Sequence, residues 1–238
     1  MNESKAQADS YFALRGVNDF SRENAELPAY FYNALPVDKN VAICDLGCGF
    51  GRILQGLKKA GYENLVGVDQ AQEAIAWCQK LGLSVQLASI ADYLEEVPSQ
   101  RFDMVIMSHV LEHIDKPAII PTLRKIKEDL LKPGGSLFLM VPNGQSATGC
   151  YWAYEDFTHS TLFTAGSLSY VLQAAGFKEI ELIDADATAG LSAWRAGLRR
   201  LLLGLYRWRL AFWNKATASS FHKPSPQVFS FEVKMKAR

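Results

Sequence analysis

The chain has no apolar run close to the roughly 18 residues needed to cross a bilayer. Its first residues, among them Asn2, Glu3, Lys5 and Asp9, lack the apolar core of a secretory signal. Its four cysteines (Cys44, Cys48, Cys78 and Cys150) form no C-x-x-C pair, which argues for reduced thiols over a disulfide framework or a zinc site. No internal repeat and no low-complexity tract is present. Together these absences imply a cytoplasmic location and a folded chain without a metal. One further scarcity is local. After position 190 the only acidic residue is Glu232, set against 10 Lys/Arg, whereas the first 190 residues hold 24 acids and 15 bases. The net charge of zero therefore divides into −9 and +9. Such polarity suits either an anionic partner at the basic end or docking of that end onto the acidic body.

What is present is ordinary globular material, 49% hydrophobic and 21% charged over 238 residues, enough for one large domain. Residues 1–40, with Tyr11, Phe12, Phe20, Tyr30, Phe31 and Tyr32, read as a helical segment ending at Pro36. From Val41 strand and helix signals alternate. Strands are expected at Val41–Leu46, Leu65–Val68, Ser84–Leu87, Phe102–Met107, Ser136–Val141 and Ile180–Ile183. Helices are expected at Arg52–Ala60, Gln72–Leu81, Ile119–Leu130 and Ala165–Ala175. A turn, Lys132-Pro133-Gly134-Gly135, precedes the fifth strand. This alternation predicts a parallel sheet covered on both faces, spanning residues 41–186. A basic helical insertion follows over 187–226. A final strand over 227–238 carries Phe229, Phe231, Val233 and Met235 on one face and Ser230, Glu232 and Lys234 on the other, which suits a place at or beside an edge.

The first strand delivers Gly47, Gly49 and Gly51 to its carboxyl end, where ligands of open parallel sheets bind. Glycine lets the backbone turn sharply and approach a ligand closely. The spacing is G-x-G-x-G, with Asp45 two residues upstream, and the G-x-G-x-x-G of dinucleotide sites is absent. A carboxylate at Asp45 would repel a pyrophosphate but suits an ammonium and a sulfonium. Asp69, after the second strand, can accept hydrogen bonds from ribose hydroxyls in either ligand class.

Val41-Ala-Ile-Cys-Asp-Leu-Gly-Cys-Gly-Phe-Gly51 resembles the first motif of class I methyltransferases that use S-adenosylmethionine. Gly67-Val68-Asp69, Arg101-Phe-Asp-Met-Val-Ile106 with Val110-Leu-Glu-His113, and Leu131-Lys-Pro-Gly-Gly135 resemble three further motifs in the right order. The resemblance implies a three-layer α/β sandwich around a seven-stranded, mostly parallel sheet of order 3-2-1-4-5-7-6, with strand 7 antiparallel. It also implies S-adenosylmethionine as cofactor. Asp45 and Gly47 would lie near its methionyl part and Asp69 on its ribose, with Cys48, Gly49, Gly51 and Gln70 also expected to bind it. The adenine would lie near Ser89 and Ile90, where the acid usual in the family is displaced to Asp92 or replaced. Ser108 and His109 would line the cofactor from the exit of the fourth strand. Asp103 reads as a residue that orders backbone.

Methyl transfer is an in-line displacement, so the protein chiefly aligns the reactants, and a hydroxyl acceptor also needs a base. His159, His113 and Asp156 are the candidates, His159 first because aromatics (Tyr151, Trp152, Tyr154, Phe157, Phe163) surround it in sequence as if to wall a pocket. Each histidine is equally well read as a loop-ordering, capping or core-facing residue. The strand-four exit lacks N-P-P-Y or D-P-P-Y, which lowers amino acceptors on nucleic acids and proteins. Glu155-Asp-Phe-Thr-His159 and Phe163-Thr-Ala-Gly-Ser-Leu168 resemble small-molecule and sugar methyltransferases, some of them in polysaccharide or quinone assembly. The reading is O-methylation of a sugar or other small metabolite. Its rivals are a non-catalytic cofactor sensor or partner subunit and an enzyme acting on a lipid-linked or nucleic-acid acceptor; no nucleic-acid partner is expected. Trp194–Trp213, with Arg195, Arg199, Arg200, Arg207 and Arg209, reads first as a lid or packed helix, then as a membrane-surface or other anionic contact, its arginines not forming one clean polar face. The sequence assigns no oligomeric state.

Overall fold

The computed structural model describes residues 25–96 and 101–238. Tyr11, Phe12 and Phe20, and most of the helical segment expected before Pro36, lie outside the described residues. What is described there is one short helix, α1 (Phe31–Ala34), whose Phe31 ring meets Phe138 edge-on with centroids 5.2 Å apart.

Strand and helix then alternate as β1 (Ile43–Leu46), α2 (Arg52–Lys59), β2 (Leu65–Asp69), α3 (Gln72–Lys80), β3 (Val85–Leu87), α4 (Ile90–Glu96) and β4 (Phe102–Ser108). A 3₁₀ turn (Leu111–His113) leads to α5 (Lys116–Lys125), which loosens into a π turn over Ile126–Leu130. Next come β5 (Leu131–Pro142), α6 (Gly149–Glu155), α7 (Ala165–Ala174), β6 (Ile180–Leu182), α8 (Ala193–Ala216) and β7 (Glu232–Ala237). The sheet order is β3-β2-β1-β4-β5-β7-β6, with β7 antiparallel to both neighbours.

The central strands read as apolar runs because both faces are covered. Cys44, Leu46, Val105, Met107, Leu137 and Leu139 belong to one buried cluster. Their alternates Ile43, Met104, Ile106, Phe138 and Met140 belong to the other, beneath α1 and α2. Asp103 orders backbone as expected: its Oδ2 accepts the Ala42 N–H at 2.8 Å and lies 2.7 Å from Lys132 Nζ.

Three expectations change. The Lys132–Gly135 turn is an irregularity inside β5, whose pairing with β4 shifts register between Phe102 and Met104. Helices α4 and α6 were unread, being only seven residues each, too short for helical periodicity to stand out. The last strand starts at Glu232 rather than 227, and its polar face is not solvated: Glu232 is 8% exposed and Lys234 3%. It lies beside the edge strand, between β5 and β6, and is therefore buried on both sides.

The turn from β1 into α2 is tightly constrained. Gly51 has φ +74°, and a Cβ there would sit 2.6 Å from Leu83 Cδ1 and 2.8 Å from Cys78 Sγ. Left-handed strain and overpacking together predict that Gly51→Ala lowers stability by about 2–4 kcal/mol, read as a reduced urea midpoint with unchanged slope.

Candidate active site

The glycine loop closes the carboxyl end of β1. The N–H groups of Gly47 and Cys48 both donate to Val68 O, at 2.7 and 3.0 Å, which folds the chain over the end of β2. Gly47, Gly49 and Gly51 all have positive φ. The close approaches they permit include protein as well as any ligand. A Cβ at Gly47 would fall 2.3 Å from Val110 Cγ2, so Gly47 also admits the β4 exit, while Gly51 admits α3. Cys48 and Cys78 point their thiols at Gly49 O, at 3.7 and 3.4 Å.

Asp69 fastens this loop. Its Oδ2 accepts the Gly49 N–H at 2.8 Å and its Oδ1 the Ala71 N–H at 2.9 Å. A carboxylate offers about four lone-pair sites, so each oxygen keeps capacity for a hydroxyl donor. Gln70 beside it is exposed. The Ser89 hydroxyl donates to Asp92 at 2.7 Å and accepts from the Asp92 N–H, so the acid displaced along the chain serves the start of α4. Ile90 is the half-buried first residue of that helix.

Asp45 is different in kind. It is 1% exposed, and neither carboxylate oxygen has a hydrogen-bond partner among the described residues. Burial, helped by the nearby Asp69 charge, pushes its carboxyl up to about 7.

The β4 exit carries Ser108, half-buried, then His109 with φ +55°. His109 Nε2 lies 2.8 Å from Glu232 Oε1, and its Nδ1 lies 3.4 Å from Glu112 Oε1. Its side chain is 42% exposed; what burial it has works against its charge, but the two carboxylates outweigh it, and its pKa rises to about 9. Glu232 shifts the other way: burial opposes ionisation, and the His109 bond, with Lys234 3.5 Å away, holds it below its usual value. His109 is thus an imidazolium clamp between the β4 exit and the start of β7, and both ring nitrogens are turned to carboxylates. The stability it supplies is full below about 6.5 and lost as pH rises through about 9.

Two loops meet behind the clamp. His159 Nδ1 donates to Trp152 O at 2.7 Å, leaving Nε2 facing Asp156 Oδ2 at 3.7 Å and Glu112 Oε1 at 4.0 Å. Asp156 Oδ1 accepts the Thr158 hydroxyl at 2.6 Å, so that hydroxyl accepts from His113 Nδ1 at 2.8 Å. The His113 and His159 rings meet edge-on, centroids 4.8 Å apart. Burial lowers the His113 pKa, keeping that ring neutral. Glu112, His113 and His159 each bring a ligand atom within 4.8 Å of the others, a set of the two-histidine, one-carboxylate type that can hold a divalent ion, which the sequence did not suggest.

The three base candidates therefore come together, but the aromatic wall does not form. Tyr154 and Phe157 are 85% and 97% exposed, and Phe163 belongs to the core. A cavity of about 310 Å³ lies instead between α8 and residues 219–227, lined by none of the expected site residues. Glu112 and Glu232 were not singled out as site residues. Glu112 stood inside a quoted motif, and Glu232 was visible only as the lone acid of a basic tail.

The sheet order, the antiparallel seventh strand and a partnerless carboxylate under a three-glycine loop define the class I, S-adenosylmethionine-dependent methyltransferase architecture. The family model described as a methyltransferase domain matches residues 11–182, and the chain belongs to that family. A S-adenosylmethionine-dependent methyltransferase from Archaeoglobus fulgidus superposes with TM-score 0.66 at 23% identity, over 96% of this chain and 99% of that one. Over 125 residues the chain is 34% identical to the mitochondrial ubiquinone biosynthesis O-methyltransferase of Dictyostelium discoideum, covering 46% of this chain and 37% of that protein. It is 34% identical over 107 residues to the ubiquinone biosynthesis O-methyltransferase of Pseudomonas aeruginosa, covering 42% of this chain and 44% of that one. The match spans less than half the length of either relative.

The residues fit the cofactor this family uses. A buried carboxylate with both oxygens unsatisfied is costly unless a cation joins it, and the cofactor carries an ammonium. Asp45 also gives the fit a pH signature. Its folded pKa is raised, so without ligand its contribution to stability falls as pH rises from about 4 to about 7. A cationic ligand selects the ionised form, so affinity for S-adenosylhomocysteine should rise as pH increases through about 7. Calorimetry across that range should show the rise in the wild type and a flat, weaker profile in Asp45→Asn; a wild-type affinity independent of pH would leave Asp45 outside the cofactor site.

Proposed function

We propose that the protein methylates a hydroxyl oxygen of a small acceptor and that His159 takes the hydroxyl proton. The observation carrying this reading is the setting of His159. Trp152 O fixes its Nδ1–H, and Nε2 faces two buried carboxylates that would steady the imidazolium formed when it takes a proton. The Asp156–Thr158–His113 relay holds the neighbouring ring in place beside it, and burial keeps that ring neutral.

When bound, S-adenosylmethionine supplies a methyl group on a positively charged sulfur. Asp45 would hold its ammonium, Asp69 its ribose hydroxyls, and the Gly47–Gly51 loop the backbone around it. Val110, over Gly47, links that loop to the turn carrying Glu112 and His113, so base and cofactor share one edge of the sheet. The methyl group would pass from the cofactor's sulfur to the acceptor oxygen, and His159 Nε2 would take the hydroxyl proton that this oxygen gives up. The relatives' names support an O-methyltransferase with a ubiquinone-type, hydroxylated acceptor. The expectation of a sugar acceptor draws no support from them. A second reading rests on the Glu112–His113–His159 grouping: a divalent ion there would bind the acceptor oxygen and lower its pKa in place of a base.

One assay series separates the two. With a catechol-type acceptor, His159→Ala should lower turnover by about 10²–10⁴-fold and leave cofactor affinity within a few-fold of wild type. Under the base reading, chelator leaves the wild type unchanged; loss restored by Mg²⁺ or Mn²⁺ would establish the metal reading instead. Turnover within a few-fold of wild type in His159→Ala, with chelator inert, would overturn both.

A further inference from the structure

Helix α8 interrupts the core between β6 and β7 and takes no part in the site. Over 24 residues Ala196 is its only buried residue. Ala196, Leu203, Tyr206, Arg207, Leu210 and Asn214 form the side that meets the body, the last five half-buried. Among the described residues its anchors are few: Arg207 to Asp186 at 2.9 Å, Arg199 to Ala187 O, Arg200 to Thr188, and the Tyr206 ring against Phe229.

A second stripe runs along the helix. Trp194, Leu198, Leu201, Leu205, Trp208 and Phe212 follow one another at intervals of four and three, which places them on one face. All are between 47% and 71% exposed, and Leu202 and Trp213, 55% and 54% exposed, widen the stripe. On a 100° wheel this face lies opposite the body-facing side. Arg195 and Arg209 border it with exposed side chains, and the helix has six cations and no acid.

Such a face is too large and apolar to be left in water. Its interval pattern would suit a second copy of the helix. That pairing, however, sets six cations against six with no acidic side chain on either helix. The charge complement is an anionic surface. Three tryptophans beside leucines and arginines are the composition of a helix lying at a lipid–water boundary, aromatic rings and leucines inward and guanidinium groups at the headgroups. The helix does not meet the length and apolarity of a membrane-crossing one.

We propose that α8 docks the protein flat on an anionic lipid bilayer through the Trp194–Phe212 stripe. The docked orientation brings the active-site edge toward the lipid. Helix α8 is rooted on Asp186 and Ala187, just past the carboxyl end of β6, and on Phe229, just before β7. Glu232, which opens β7, is the residue clamped by His109. The strongly acidic remainder of the chain would be repelled from the same surface, which favours one orientation over a random landing. The inference concerns attachment and holds whatever acceptor the site uses.

The test is co-sedimentation of the whole protein with phosphatidylcholine vesicles with and without phosphatidylglycerol, alongside tryptophan emission, since three of the five tryptophans lie on α8. The wild type should bind the phosphatidylglycerol vesicles at least about tenfold more tightly than neutral ones, with blue-shifted emission and weakening in salt. The triple variant Leu201→Ser/Leu205→Ser/Trp208→Ser should lose about tenfold or more of that binding, and Arg195→Gln/Arg209→Gln should lose several-fold. Both should keep wild-type affinity for S-adenosylhomocysteine, which shows that the fold is intact and keeps this result separate from the methyl-transfer reading. Absent or lipid-independent binding, or binding untouched by both variants, would overturn the proposal. So would a dimer in lipid-free solution that the triple variant abolishes while vesicle binding persists, or binding to single-stranded oligonucleotide in place of vesicles.

Discussion

The site depends on one imidazolium held between two carboxylates. His109 joins Glu112, on the turn after β4, to Glu232, the first residue of β7, and without a charge on the ring those two buried acids would be brought together with Lys234, 3.5 Å from Glu232, as the neighbouring cation. Glu112 then stands where His159 can face it, and the Glu112 carbonyl receives the N–H groups of Ser160 and Thr161, which returns the loop after α6 to the β4 exit. The left-handed backbone of His109 belongs to the same device: a non-glycine residue is kept at φ +55° where surrounding contacts over-determine it.

Electrostatically the two halves of the site are opposites. Around the clamp, each carboxylate has a nearby cation or ring nitrogen. Under the glycine loop, Asp45 has none, and its neighbour Asp69 makes matters worse while being itself occupied by backbone N–H groups. Glu112 likewise has neither oxygen hydrogen-bonded among the described residues, but two imidazole rings face it; Asp45 has no such neighbour there, which suits a cationic ligand. The raised Asp45 pKa means that the ionised form costs stability in the absence of a cation.

Most of the core was legible from sequence for a simple reason. Parallel strands covered on both faces must be apolar runs, and the glycines that end them are fixed by backbone geometry; hence β1, β2 and β4 were readable, whereas the order of the sheet came from the resemblance to class I methyltransferases. Glu232 shows where this fails. Alternation placed it correctly on a polar face, but polar does not mean solvated when the strand lies inside the sheet, and the partner that makes its burial tolerable is 123 residues away. The aromatics around His159 failed for the converse reason. Their density suggested a pocket wall, yet Tyr154 is turned outward, and the imidazole is fixed by the Trp152 carbonyl, which no side-chain pattern reveals, and faced by Asp156, Glu112 and the His113 ring. In α8 the arginines obscured the pattern, because no clean charged face exists; the ordered feature is the apolar stripe.

The place of β7 has a kinetic side. β5 pairs with β4 early in chain order, but its other edge stays open until Glu232–Ala237 arrives, after α6, α7, β6 and the whole of α8 have been made. Until then Leu137, Leu139 and Val141 sit on a strand with unpaired N–H and carbonyl groups, a template for the wrong partner. Long-range pairing of this sort is slow because the loop must close before any contact rewards it. The pairing of β7 closes that edge of β5 and at the same time brings Glu232 to His109.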